Sequence, residues 1–185
     1  MSSFIQVKPA FYLKANVKTD ILMGTNSTGG TLAHGRLVSG RLTSERGFET
    51  ELSGSVIDGD DYITMQPDGK ILRPQLIARV RPDDGDTPFQ LTSTGASEAT
   101  PDIIAITTTE TTTGKSIPYG ETYSVWRVEF QGGSARIANL RNSIFVASVT
   151  VSDGEHPDEF VVGFKISKVY NTKTDVVIGQ EFRQD

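Results

Sequence analysis

Short runs of alternating apolar and polar residues, cut at regular intervals by turns rich in glycine and aspartate, constrain this chain more than any other feature. Leu72, Pro74, Leu76, Ala78 and Val80 alternate with Ile71, Arg73, Gln75, Ile77, Arg79 and Arg81. Ser124, Trp126, Val128 and Phe130 alternate with Tyr123, Val125, Arg127 and Glu129, and Phe160, Val162, Phe164 and Ile166 do the same with their neighbours. A period of two puts each apolar set on one face of a pleated strand. Pro67-Asp68-Gly69, Asp83-Asp84-Gly85, Gly132-Gly133 and Asp153-Gly154 supply the positive φ or the local Asx hydrogen bonds that hairpins need. The heavy load of Thr and Val favours strands. No stretch sustains a helical apolar period, and a short peripheral helix is expected only around 134–142.

These rules give eight to ten strands, over about 11–17, 36–42, 52–57, 62–65, 71–80, 89–95, 103–108, 123–130, 144–151 and 160–170. An open sheet of that many strands leaves two pairable edges, so closure or a sandwich is expected. The expected class is all-β, a closed antiparallel barrel with little helix and an interior able to hold one small ligand. One domain is expected over 1–185, with a core from about 5 to 170 and a polar tail, 171–185, interrupted by Val176-Val177-Ile178. Two polar segments, 24–30 and the Thr-rich 107–120, read as loops, the longer one as a lid or binding loop.

Composition removes whole classes of chemistry. Without cysteine there is no disulfide, thiolate nucleophile or iron–sulfur cluster. A net charge of −5 argues against a nucleic-acid partner. No apolar run is long enough to span a bilayer as a helix, and the first residues lack the pattern of a secretory signal, so a cytoplasmic protein is expected. Asn26-Ser27-Thr28 is then an accidental match to a glycosylation site. Two histidines, His34 and His156, cannot build a three-histidine metal centre. Thr113-Gly114-Lys115-Ser116 lacks the earlier glycine and the following helix of a phosphate loop, and no serine elbow or dinucleotide motif exists. Neither cofactor nor metal is expected.

The candidates that remain are charged and phenolic groups on or beside strands. Arg79, Arg127 and Glu129 occupy the faces opposite the most apolar ones; they are either ordinary outer charges or interior groups needing partners. The acidic runs 58–61 and 83–86 read as turns, which puts Asp61 and Tyr62 at a rim, where a half-buried carboxyl acquires a raised pKa or else caps a turn.

Several segments together resemble one family, a barrel family of bacteria and fungi catalogued as a domain of unknown function (number 3237). The block 52–69 carries its Leu-x-Gly-x-Val start in Leu52, Gly54 and Val56, its Asp-aromatic pair in Asp61-Tyr62, and its closing Pro67-Asp68-Gly69. Asp83-Asp84-Gly85 and Gly95 follow in the family's order, then Tyr123, Phe130, Gly133, Leu140 and Ile144-Phe145-Val146-Ala147, and last a strand over 162–169. The resemblance covers about 35–170. Two departures stand out: Ile77-Ala78 replaces an Arg-aromatic pair, and Asn139-Leu140-Arg141 replaces Trp-Leu-Asn.

The resemblance implies a lipocalin-like (calycin-like) barrel. Some fungal members resemble polyketide-pathway cyclases that add a phenol to a prenyl-type alkene by intramolecular hydroalkoxylation. On that reading Asp61 or Glu129 is the acid, Arg79 or Arg127 holds phenolate oxygen, and Tyr62, Tyr123, Trp126 and Phe130 wall the pocket. The partner would be an aromatic small molecule, with homo-oligomerisation left open. Two alternatives remain at this level: a barrel that binds a hydrophobic small molecule without changing it, and a structural or assembly module.

Overall fold

The computed structural model describes residues 4–108 and 113–171. Nine strands and two short helices follow one another: β1 (Gln6–Thr25), β2 (Thr31–Ser44), β3 (Ser53–Met65), β4 (Ile71–Pro82), β5 (Phe89–Glu98), α1 (Pro101–Thr108), β6 (Ser116–Ile117), β7 (Ser124–Gln131), α2 (Ala135–Arg141), β8 (Phe145–Asp153) and β9 (Glu159–Tyr170). The pairing is antiparallel throughout and runs β8-β7-β5-β4-β3-β2-β1-β9, with β9 pairing back onto β8. Eight strands therefore form a ring, and β6 is appended to β8. Among the described residues no helix is long and apolar enough to cross a membrane.

The alternations noted above set what faces the ring interior. Leu72, Pro74, Leu76, Ala78 and Val80 of β4, Ser124, Trp126, Val128 and Phe130 of β7, and Phe160, Val162, Phe164 and Ile166 of β9 are all buried. The two ends of the interior differ. At one end Phe11, Phe48, Phe89, Phe130 and Phe145 interlock, with ring centroids 5.0 Å apart for Phe11–Phe48 and 5.1 Å for Phe130–Phe145. Helix α2 packs against β7 with Ile137 and Leu140 buried. Ser134 caps it, its Oγ accepting from the Ile137 amide at 3.3 Å, as the short helix expected there requires.

Three local expectations are corrected. The segments 52–57 and 62–65 are one strand, because the acidic run between them is not a turn. A bulge between Val56 and Asp58 inserts one extra residue opposite β4, and pairing continues through Asp60 and Asp61. Gly59 makes this possible: a Cβ there would lie 2.2 Å from the Ile77 carbonyl oxygen. The segment 103–108 is helix α1 despite its β-branched residues. Thr100 caps it, accepting from the Ile103 amide at 3.2 Å, and Pro101 opens its first turn. The stretch 107–120 is not one loop, since α1 runs to Thr108 and Ser116–Ile117 pairs with β8; 109–112 lies outside the described residues, as does the tail beyond 171. The second acidic run, 83–86, is a turn, and Asp84 and Asp86 hold Arg136 of α2 at 2.6 and 3.1 Å.

Candidate functional site

At the end of the ring opposite the phenylalanine cluster, the interior opens into a cavity under α1 and β6. Apolar side chains of β3, β4, β7, β8 and β9, with Ile103 from α1 and Ile117 from β6, form most of its wall. Its volume is ≈ 30 Å³ in the measure where one water takes about 10–15 Å³, within ≈ 480 Å³ of non-atom space that includes its mouth. As it stands it has room for about two waters. A larger ligand requires the covering segments to move. Thr113 Oγ1 and the Gly114 amide donate to the Asp153 carboxylate at 2.9 and 2.5 Å, Lys115 pairs with Asp102, and Thr19 Oγ1 donates to the Thr107 carbonyl at 3.1 Å.

Asp61 lies in the wall of this cavity, 2 % exposed. The bulge in β3 puts it there. Up to Val56 the even-numbered residues face inward; beyond the extra residue the odd-numbered Gly59 and Asp61 do. Its Oδ1 has no hydrogen-bond partner among the described residues. Burial pushes the carboxyl up to about 7. Asp61 is thus an interior group on a central strand rather than a rim carboxylate in a turn. It can hold a proton at neutral pH and release it at small cost, as a general acid must.

The other residues singled out from the sequence divide. Trp126 lines the cavity, edge-on to Phe164 at 5.1 Å. Phe130 is interior but belongs to the filled end, in contact with Phe11, Phe89 and Phe145. Arg79, Arg127 and Glu129 are on the outside, where strand alternation puts the neighbours of inward-facing residues. Arg79 pairs with Asp58 at 2.7 Å, and Arg127 with Glu129 at 2.6 Å, all four half or more in solvent or nearly so. The expectation that Arg79 or Arg127 enters the pocket is therefore corrected: among the described residues the lining contains no arginine, lysine or histidine. Tyr62 points outward against His34, the two rings tilted with centroids 4.8 Å apart, and Tyr123 is 60 % exposed. Neither walls the cavity. Ile77-Ala78 and Asn139-Leu140-Arg141, where the sequence departs from the family pattern, also lie away from it.

Sequence reasoning passed over Ser97 and Ser124, which line the cavity and hydrogen-bond to each other and to Trp126. The signal was present for Ser124: it is the polar member of the otherwise apolar set Ser124, Trp126, Val128 and Phe130. Asp61 with this trio gives a mostly apolar chamber with a few polar groups, the usual make-up of a small-molecule site.

Ring and chamber together define a barrel-like all-β protein with a candidate ligand site inside one end. The chain belongs to the family described as protein of unknown function (DUF3237), whose model matches residues 5–169. It is similar in structure to a conserved protein of unknown function from Rhodopseudomonas palustris (TM-score 0.71, 18 % identity, covering 91 % of this chain and 100 % of that one). A protein from Acinetobacter baumannii described as β-barrel like matches with TM-score 0.62 and 16 % identity, over 92 % and 99 % of the two chains. An enzyme from Penicillium herquei is a more distant neighbour, with TM-score 0.46 and 16 % identity, over 88 % and 93 %. Among curated proteins none matches the sequence.

Proposed function

We propose that the ring is a closed, lipocalin-like barrel whose chamber binds an aromatic small molecule and that the protein is a cofactor-free cyclase or isomerase, closing an oxygen heterocycle on an aromatic polyketide by intramolecular hydroalkoxylation in the cytoplasm. The observation that carries this reading is Asp61: a buried carboxyl in a mostly apolar chamber, its Oδ1 without a hydrogen-bond partner among the described residues and its pKa raised to about 7. With the arginines outside and no cation among the described lining residues to stabilise a phenolate, the phenol reacts as the neutral species. The carboxyl proton goes to the alkene carbon, the phenol oxygen bonds to the adjacent carbon, and the phenolic proton returns to the carboxylate. Substrate and product are isomers and Asp61 ends as it began. One carboxyl serves first as acid and then as base, a contribution of about 10²–10⁴-fold. Folding the alkene over the phenol inside the chamber contributes further through proximity.

The test uses 2-prenylphenol as a minimal substrate. Wild-type protein is expected to convert it to a cyclic ether of the same mass, and Asp61→Asn to lower turnover by about 10²-fold or more with Kd nearly unchanged. Binding with equal turnover in both proteins would make Asp61 structural. Binding without any ring closure would support a carrier instead.

A further inference from the structure

Ser97 of β5 and Ser124 of β7 are direct cross-strand partners, both buried. Their hydroxyl oxygens are 2.7 Å apart. The Trp126 indole N–H is shared between them, at 3.0 Å from Ser97 Oγ and 3.1 Å from Ser124 Oγ. Counting hydrogens gives a result independent of which serine donates. The two hydroxyls carry two hydrogens, one of which is used between them. The indole only donates, so it cannot accept the second. Among the described residues that second hydrogen has no acceptor. A buried donor left without an acceptor is costly, and here it stands in the wall of a cavity. Donation from the indole also polarises the pair, making the remaining O–H a stronger donor.

The charge of the chamber narrows what can accept that hydrogen. Among the described residues Asp61 is the one ionisable group of the lining, and no cation lies opposite it there. A carboxylate or phosphate would enter with its charge unpaired, at a large desolvation cost. An uncharged carbonyl oxygen accepts one hydrogen bond and asks for nothing else. Resting on the reading of the chamber as a ligand site, we propose that Ser97 and Ser124 are positioning residues that hold the carbonyl oxygen of an uncharged ligand, presenting the rest of it to the part of the chamber that Asp61 lines.

The chain's single tryptophan, Trp126, is part of the trio, so its fluorescence reports binding at this site directly. The probes are 1-indanone and indane, bicyclic molecules of nearly the same shape that differ in the carbonyl. Wild-type protein is expected to bind 1-indanone about three- to tenfold more tightly than indane. The carbonyl stretch of bound indanone should move to lower wavenumber than in hydrocarbon solvent. In Ser97→Ala/Ser124→Ala the affinity ratio should fall towards one and the stretch should return, because the two hydroxyls that donate to the carbonyl are gone. Either single alanine variant should keep part of the preference, since the remaining hydroxyl is then free to donate to the ligand. Equal binding of both probes to wild type, or a stretch unchanged in the double variant, would overturn the serine assignment while leaving the ligand chamber intact. Failure of wild type to bind either probe would overturn both. The wild-type comparison decides the matter even if the double variant does not fold.

Discussion

Asp61 shows what one residue costs when it is kept in such a place. Its ordinary pKa is 3.8 and its folded value about 7, so between those limits the folded protein holds a proton that the unfolded chain has lost. Stability must then fall as pH rises through this window and level off above about 7. Asp84 and Asp158, held below the usual range by Arg136 and Lys18, run the other way and add stability as pH rises out of the acid range. The contribution of Asp61 is therefore read as a difference between proteins. Urea unfolding from pH 4 to 8 should show Asp61→Asn gaining on wild type as pH rises, by up to about 4 kcal/mol, with the gain complete near pH 7. Parallel profiles would mean that Asp61 does not carry its proton into the unfolding transition. The residue itself was legible in the sequence, as an aspartate beside an aromatic in a family-like block. Its surroundings were not. Asp58-Gly59-Asp60-Asp61 has the composition of a turn, and only pairing with β2 and β4 makes it a strand.

Strand β3 carries that lesson at the scale of an element. Without the bulge, Asp58 and Asp60 would face the interior and Asp61 would face water. No local pattern in the sequence announces the extra residue, because it is fixed by the register of two long neighbours. The strands with unbroken alternation, β4, β7 and β9, were legible for the opposite reason: period two needs no tertiary information. Helix α1 was misread because Ile103, Ile104 and Ile106 speak for a strand, while the Thr100 cap and Pro101 speak more quietly for a helix start. The bulge also explains why Gly59 tolerates no side chain: a Cβ would lie 2.2 Å from the Ile77 carbonyl oxygen, 3.0 Å from Leu37 Cδ2 and 3.1 Å from Ala78 Cα. Gly59→Ala should lower stability by about 1–3 kcal/mol, the backbone having to give way. Because the strain falls two residues from Asp61, ligand affinity per folded molecule should fall with it. A variant as stable as wild type would show that β3 can shift register here at no cost.

At the scale of the whole molecule, the interior is divided into a filled end and an end that keeps a cavity. Phe11, Phe48, Phe89, Phe130 and Phe145 fill one end with edge-on and tilted aromatic contacts, while the other end keeps open space beside a carboxyl and a hydroxyl pair. A core left open at its second end gives up dispersion contacts there. Two substitutions separate the halves. Phe130, 1 % exposed and in contact with three other phenylalanines, is remote from the chamber lining. Phe130→Ala should cost about 3–5 kcal/mol of stability and leave the Kd for 1-indanone nearly unchanged in the folded protein. Val149, in the chamber wall, has space in front of it. Val149→Leu places a larger side chain in that space, so stability should hold or rise by up to about 1 kcal/mol while indanone binding weakens about tenfold or more. Thermal melting and fluorescence titration on the two variants should thus give opposite signatures, one losing stability without affinity and the other affinity without stability. If Val149→Leu destabilised the protein as Phe130→Ala does and left binding alone, the space beside it would be packed core rather than a chamber. The ring would then be a solid scaffold.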